Sequence, residues 1–392
     1  MFNTLEAQPA DALLGLIKLF AEDTRPFKLD LGVGVYKDEA GHTPIFAAVK
    51  AAERRLLEEQ DTKAYLGPAG DIRFLDLLGG LVFGDGWAAQ AGRTASIQTP
   101  GGSGALRIGA ELLRDVVPSR RIWVGLPTWP NHAPIFRAAG LDVKTYPFFD
   151  VASQSLQFDQ LMAALETVER GDAVLLHGCC HNPTGADLSP EQWQAVADVL
   201  EARGLLPFVD LAYHGLGDGL EADLYGVRLL SARLGGVLVA ISCSKNFGLY
   251  RDRIGALYVV TGADETAAIT ASHLASHART AYSMPPDHGA AVVRIILGDA
   301  ELARSWREEL DAVQKRIAEI RAALAAHGRA GPVDLTAVGG QKGMFSTLSL
   351  TRDQVRTLRA ERAVYMADSG RINVAGLRLA DIEAFVAALR SL

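Results

Sequence analysis

VLVAISCSKNFGLYRDRIGALYVV (237–260) decides how this chain is read. Val237–Ser242 is an unbroken apolar run closed by a serine, the pattern of a strand buried on both faces. A polar turn follows, with Ser242, Ser244, Lys245 and Asn246, and a second strand-like run covers Gly255–Val260. A lysine is ordinarily solvated, so one placed directly behind a buried strand is informative. Outward from this stretch, further strands are expected at Ser96–Thr99, Arg121–Gly125, Val143–Tyr146, Ala173–His177 and Leu206–Asp210. Helical patterns lie between them. Phe158–Val168 is one, and Pro190–Glu201 is another, with Ser189 as N-cap and Pro190 at the first helical position. Strands alternating with helices predict an α/β fold with a mainly parallel sheet, covered by helices on both faces.

The rest of the chain bounds the class. At roughly 100–200 residues per domain, 392 residues imply two or three domains. The charge-dense pattern Asp299–Ala325 predicts a long bridging helix. Beyond it, Gly343–Leu350 and Arg371–Val374 read as strands, and Arg352–Glu361 and Leu379–Leu389 as helices, of a smaller α+β domain. Lys28–Val35 is expected to join that unit or to lie near the cleft. The division expected is an N-terminal arm and part of the small domain (1–44), a large domain (45–312) and a small C-terminal domain (313–392). Net charge is −7 with both signs scattered, so nothing suggests a nucleic-acid partner. No 18-residue apolar run suggests a membrane span. Glu6 and Asp11 stand where a signal peptide carries basic residues. Cys179, Cys180 and Cys243 are too few and too oddly placed for a disulfide framework, which fits a cytoplasmic protein. No second ligand pair stands at zinc-finger spacing from Cys179 and Cys180, so no metal is expected.

In an open α/β sheet, ligands sit beyond the carboxyl ends of the strands. The segments there hold Pro-Gly-Gly-Ser-Gly (100–104), Leu-Pro-Thr-Trp-Pro-Asn-His (126–132), Gly-Cys-Cys-His-Asn-Pro-Thr-Gly (178–185), Asp210 with Tyr213, and Ser242 with Lys245. Pyridoxal phosphate would give each group a task. Gly101–Gly104 at a helix start offers backbone N–H groups to a phosphate, joined by Ser242 and Arg253. Lys245 suits a Schiff base, since a desolvated lysine becomes a nucleophile. Asp210, ending a buried strand, needs a cationic or donor partner, which a protonated pyridine nitrogen supplies; a structural turn cap is the plainer use of such a residue. Tyr213 and Asn182 would donate to the ring 3′-oxygen. Trp129 either stacks on the ring or fills core. Arg371 suits a substrate carboxylate, and Arg279 a second one, though most arginines are simply solvated.

Together these motifs resemble the class I (fold type I) aminotransferases, specifically the bacterial aspartate and aromatic amino-acid branch. The likeness runs from LGVGVYKDEAGHTP (31–44) through TPGGSGALR, PTWPNH, HGCCHNPTG and SKNFGLYRDRIG to SGRINVAG (369–376). The resemblance implies a seven-stranded sheet, a small domain built from both termini, and pyridoxal phosphate on Lys245, which also moves the proton. It implies Asp210 at the pyridinium, Asn182 and Tyr213 at the 3′-oxygen, and Trp129 on the ring. Gly102, Ser103, Ser242 and Arg253 would hold the phosphate, with Tyr65 from a second subunit. Arg371 and the Gly34 backbone would bind the α-carboxylate. Arg279 of the second subunit would face the substrate side chain, and His132 would support Asp210. A site shared between chains implies a homodimer.

The implied reaction is ping-pong transfer of an amino group, through pyridoxamine phosphate, from an aromatic amino acid or aspartate to 2-oxoglutarate. Tyr213-His214-Gly215-Leu216 stands where the family often has Tyr-Gln-Gly-Phe, and Ser283-Met284-Pro285-Pro286 where it often has Ser-Asn-Pro-Pro. Ser242-Cys243-Ser244-Lys245 replaces a common Ser-Tyr-Ser-Lys; this and Tyr365–Ser369 look more like the aromatic branch. A strict aspartate aminotransferase is the alternative. Further readings are a lyase or ligand sensor on the same fold. A nicotinamide dehydrogenase is disfavoured because no G-x-G-x-x-G follows a first strand.

Overall fold

The computed structural model describes residues 2–7 and 12–392; Asp11, used above, lies outside them. Seven strands form the central sheet: β1 Thr94–Pro100, β2 Arg121–Leu126, β3 Asp142–Pro147, β4 Ala173–His177, β5 Leu206–Leu211, β6 Val237–Ser242 and β7 Ile254–Val260. Their order is β1-β7-β6-β5-β4-β2-β3. Pairings from β6 across to β3 are parallel, whereas β7 runs antiparallel to both β1 and β6. The fold is thus the expected mainly parallel α/β sheet.

Alternation along the strands explains why the runs are apolar throughout. Leu176, Val209, Val239 and Ile241 enter one hydrophobic cluster. Their neighbours Leu175, Phe208, Leu238 and Ala240 enter another. Successive side chains point to opposite faces, so both faces must be apolar when helices cover both. The helices Gly101–Val116 and Asp264–Ala281 supply Leu106, Ile108, Leu113, Leu274 and Ala278 to the second cluster. Helices Ile72–Phe83, Pro190–Arg203 and His288–Gly298 supply Phe74, Trp193 and Val292 to the first. Each fully buried side chain of this kind contributes about 1.5–3 kcal/mol. The helix after Ser189 starts with a full capping box, Ser189 with Gln192, and stops at the left-handed Gly204.

The two ends of the chain meet. Leu29–Asp30 pairs in parallel with Val364–Tyr365, and Phe345–Thr347 pairs antiparallel with Arg371–Asn373. Leu29 and Leu31 share a third cluster with Leu348, Val355, Leu358, Ile372 and Phe385. The helix Ala300–Ala325, capped by Asp299, spans two clusters: Trp306, Leu310 and Ile317 pack in the first, Ile320 and Leu324 in the third. Its Arg321 is buried and donates to the carbonyls of Val338, Lys342, Gly343 and Phe345 and to Ser346 Oγ. One guanidinium thereby shapes the turn that presents Phe345 to the site. Among the described residues, no helix is long and apolar enough to cross a membrane.

Candidate active site

The strand ends bring most of the sequence-predicted residues to one cleft of about 170 Å³. Gly102, Ser103, Trp129, Asn182, Asp210, Tyr213, Ser242, Lys245 and Arg253 all line it. Ser244, Leu106 and Ala212 complete the wall.

One end of the cleft is a helix start. The helix Gly101–Val116 has Pro100 as its N-cap residue, with no side-chain cap, so its first N–H groups are left to a ligand. Packing there is tight, and Gly101 sits at φ 70°, which favours glycine. A Cβ on Gly102 would stand 3.0 Å from Ser242 Cβ, and one on Gly101 would stand 2.5 Å from an Arg253 nitrogen. Arg253, itself in the left-handed region (φ 58°), donates to Tyr250 O at 2.9 Å.

Deeper in, Lys245 Nζ lies 4.9 Å from the Tyr213 ring centroid. Burial pushes its amine down to about 8, against an opposing pull from Asp210. Burial alone would raise the Asp210 carboxyl. The hydrogen bond from His132 and the nearby Lys245 charge outweigh it and hold the group below the usual range. His132 Nε2 is 3.1 Å from Asp210 Oδ2. If His132 is neutral and donates from Nε2, its Nδ1 accepts from Thr128 Oγ1 at 2.8 Å. That hydroxyl can then accept from His177 Nε2 at 3.1 Å. Burial pushes His177 down to about 3, so it stays neutral. Asn182 Nδ2 donates to the Tyr213 hydroxyl at 3.1 Å, while buried Asn182 Oδ1 lacks a partner. Burial, then Asp210, push the Tyr213 hydroxyl upwards.

The loop carrying Asn182 is held by a half-buried carboxylate. Asp187 accepts from Cys180 N at 2.7 Å and His181 N at 3.0 Å, and Cys180 is in the left-handed region (φ 51°).

Arg371 and Gly34 stand beside the cleft rather than in its wall. The Arg371 guanidinium lies 4.7 Å from the Phe345 ring centroid and donates to Gly32 O at 2.8 Å. Its Nε is buried without a hydrogen-bond partner, and burial lowers its pKa. Phe345 in turn meets Tyr213 edge-on at 5.9 Å, and a Cβ on Gly34 would strike the Phe345 ring at 2.7 Å. Tyr65 and Arg279 are elsewhere. Tyr65 is 92% exposed, Leu66 N bonds Met284 Sδ, and Arg279 is exposed and bonds Ser283. The chain's own cleft does not recruit them.

Sequence reasoning gave no role to Thr128, Asp187 or Phe345. Thr128 sits one turn before His132, a spacing that could have flagged it. Phe345 carries no local signal.

Residues 26–389 match the family model described as aminotransferase class I and II. The chain belongs to this family. It is an aminotransferase. A tyrosine aminotransferase from Rhizobium meliloti is 56% identical over 97% of both chains. An aspartate aminotransferase from Salmonella typhi is 46% identical over 96% of both. A solved aromatic-amino-acid aminotransferase from Burkholderia pseudomallei, covalently bound to pyridoxal phosphate, is 40% identical with a TM-score of 0.95, covering 100% of this chain and 99% of that one. The family depends on pyridoxal phosphate.

Proposed function

We propose that this chain transfers the amino group of aromatic amino acids, and of aspartate, to 2-oxoglutarate, using pyridoxal phosphate attached to Lys245. The observation that carries the reading is one cleft holding a half-buried lysine of lowered pKa, a buried carboxylate, an amide–phenol pair and an uncapped helix start. These fit the cofactor. The helix start with Ser103, Ser242 and Arg253 suits its phosphate, Asp210 its pyridine nitrogen, and Asn182 with Tyr213 its ring oxygen. When bound, the group supplies an electron sink for the substrate α-carbon and a carrier for the amino group.

The chain's own residues do the remainder. Arg371, desolvated and with Nε unpaired, binds the α-carboxylate with the Gly34 backbone and so sets which α-carbon bond faces Lys245. Lys245 Nζ takes the α-proton and delivers it; a pKa of about 8 suits a base working near neutrality. His132 keeps Asp210 ionised, and Trp129 covers the ring. Exposed Tyr65 and Arg279 lie outside this chain's cleft and serve that of a second copy, so the working unit is a homodimer. The names of the relatives support both substrate classes.

Spectral titration of the cofactor-loaded protein tests this. Loss of the violet lysine-bound band with tyrosine or phenylalanine as well as aspartate is expected. Conversion by aspartate alone would refute the aromatic assignment. No conversion by either would refute the activity.

A further inference from the structure

Helix Asp264–Ala281 packs along helix Gly101–Val116. His273 and His277 stand one turn apart on the former, their ring centroids 6.5 Å apart. Asp115 sits in the last turn of the latter. One ligand-capable atom from each of the three lies within 4.8 Å of the others. His277 Nε2 is 2.9 Å from Asp115 Oδ2, and its Nδ1 is 3.7 Å from Glu111 Oε2.

The surroundings are arranged around these atoms. Asp115 Oδ1 accepts from Arg114 at 3.0 Å and Glu111 Oε1 from Arg107 at 2.8 Å. Each carboxylate thus gives one oxygen to an arginine of its own helix and turns the other toward His277. His277 Nε2 is buried and faces Asp115 Oδ2. A ring nitrogen 2.9 Å from a carboxylate oxygen, with a second imidazole one helical turn away, suits ligands of one ion.

We propose that His273, His277 and Asp115 bind a divalent first-row transition ion of the zinc class. Two imidazoles and a carboxylate suit zinc, cobalt or nickel better than magnesium or calcium. Donors on a tetrahedral zinc, at about 2.0–2.1 Å, stand roughly 3.4 Å apart, so side-chain shifts of about 1 Å close the set. The ion ties the far end of the cofactor helix, about 20 Å from Gly102, to the turn that carries Arg279. His277 precedes Arg279 by two residues, so ion binding stiffens the presentation of that arginine. The sequence reading missed this site because it sought cysteine and histidine pairs at finger spacing, not histidines one helical turn apart.

The competing arrangement is a protonated His277 held by two carboxylates, which needs no His273. Calorimetric titration of metal-stripped holoenzyme with zinc chloride separates the two, using wild type, His273→Ala and His277→Ala. His273 is exposed, so its variant keeps the fold, checked by an unchanged metal-free Tm. One ion per chain in wild type is expected, at least tenfold weaker in both variants, with a zinc-induced rise in Tm that both lose. An unchanged isotherm in His273→Ala, loss in His277→Ala alone, or no binding to wild type at millimolar zinc would each overturn the site.

Discussion

Lys245→Met should make the cofactor-free protein more stable, in a pH-dependent way. Wild-type Lys245 is half-buried in the cleft wall, and desolvation lowers its amine from about 10.5 to about 8. At neutral pH the folded protein must either hold a desolvated charge or give up a proton that the unfolded chain keeps. The linked cost is about 3 kcal/mol below the folded pKa. For a lysine with a depressed folded pKa, that cost is complete below pH 8, shrinks as pH rises from 8, and vanishes above 10.5. Methionine has similar volume and no charge, so the variant escapes it. Urea unfolding of both cofactor-free proteins between pH 7 and 10.5 measures the gap. The variant should lead by about 3 kcal/mol at pH 7, and the lead should close toward pH 10.5. A gap independent of pH, or a wild type more stable throughout, would refute the claim that Lys245 is held in a desolvated state.

Two other perturbations follow from particular contacts. Arg371→Leu removes the proposed carboxylate partner and should lower kcat/KM by roughly 30- to 1,000-fold, about 2–4 kcal/mol, for every amino acid alike; steady-state kinetics with tyrosine and aspartate check this, and a loss confined to one substrate would contradict it. Asp187→Ala leaves the Cys180 and His181 amides unpaired beside a left-handed backbone and should cost about 2–4 kcal/mol in denaturant unfolding, with weakened cofactor retention from a displaced Asn182.

Most of the sheet was legible because strands covered on both faces leave long apolar runs, and Val237–Ser242 and Ala173–His177 appear where those runs stand. The reversed direction of β7 was not, since the composition of Gly255–Val260 carries no polarity. The residues of the cleft could be grouped from sequence because each follows a strand end. Arg371 and Phe345 are brought there only by the pairing of Phe345–Thr347 with Arg371–Asn373. Asp187 and Arg321 look like ordinary surface charges in sequence. Their withdrawal from solvent, full for Arg321 and partial for Asp187, is a tertiary consequence of the backbone groups they satisfy. Tyr65 stands exposed on a single chain, and no local pattern distinguishes it from any other surface tyrosine.

The central claim is that Lys245 alone carries the cofactor. Borohydride reduction of the loaded enzyme, digestion and peptide mass spectrometry test it most directly. A stable pyridoxyl phosphate adduct is expected on the peptide containing Lys245, absent from Lys245→Ala, which should also lose turnover by several orders of magnitude. An adduct on another lysine, or normal turnover in Lys245→Ala, would contradict it.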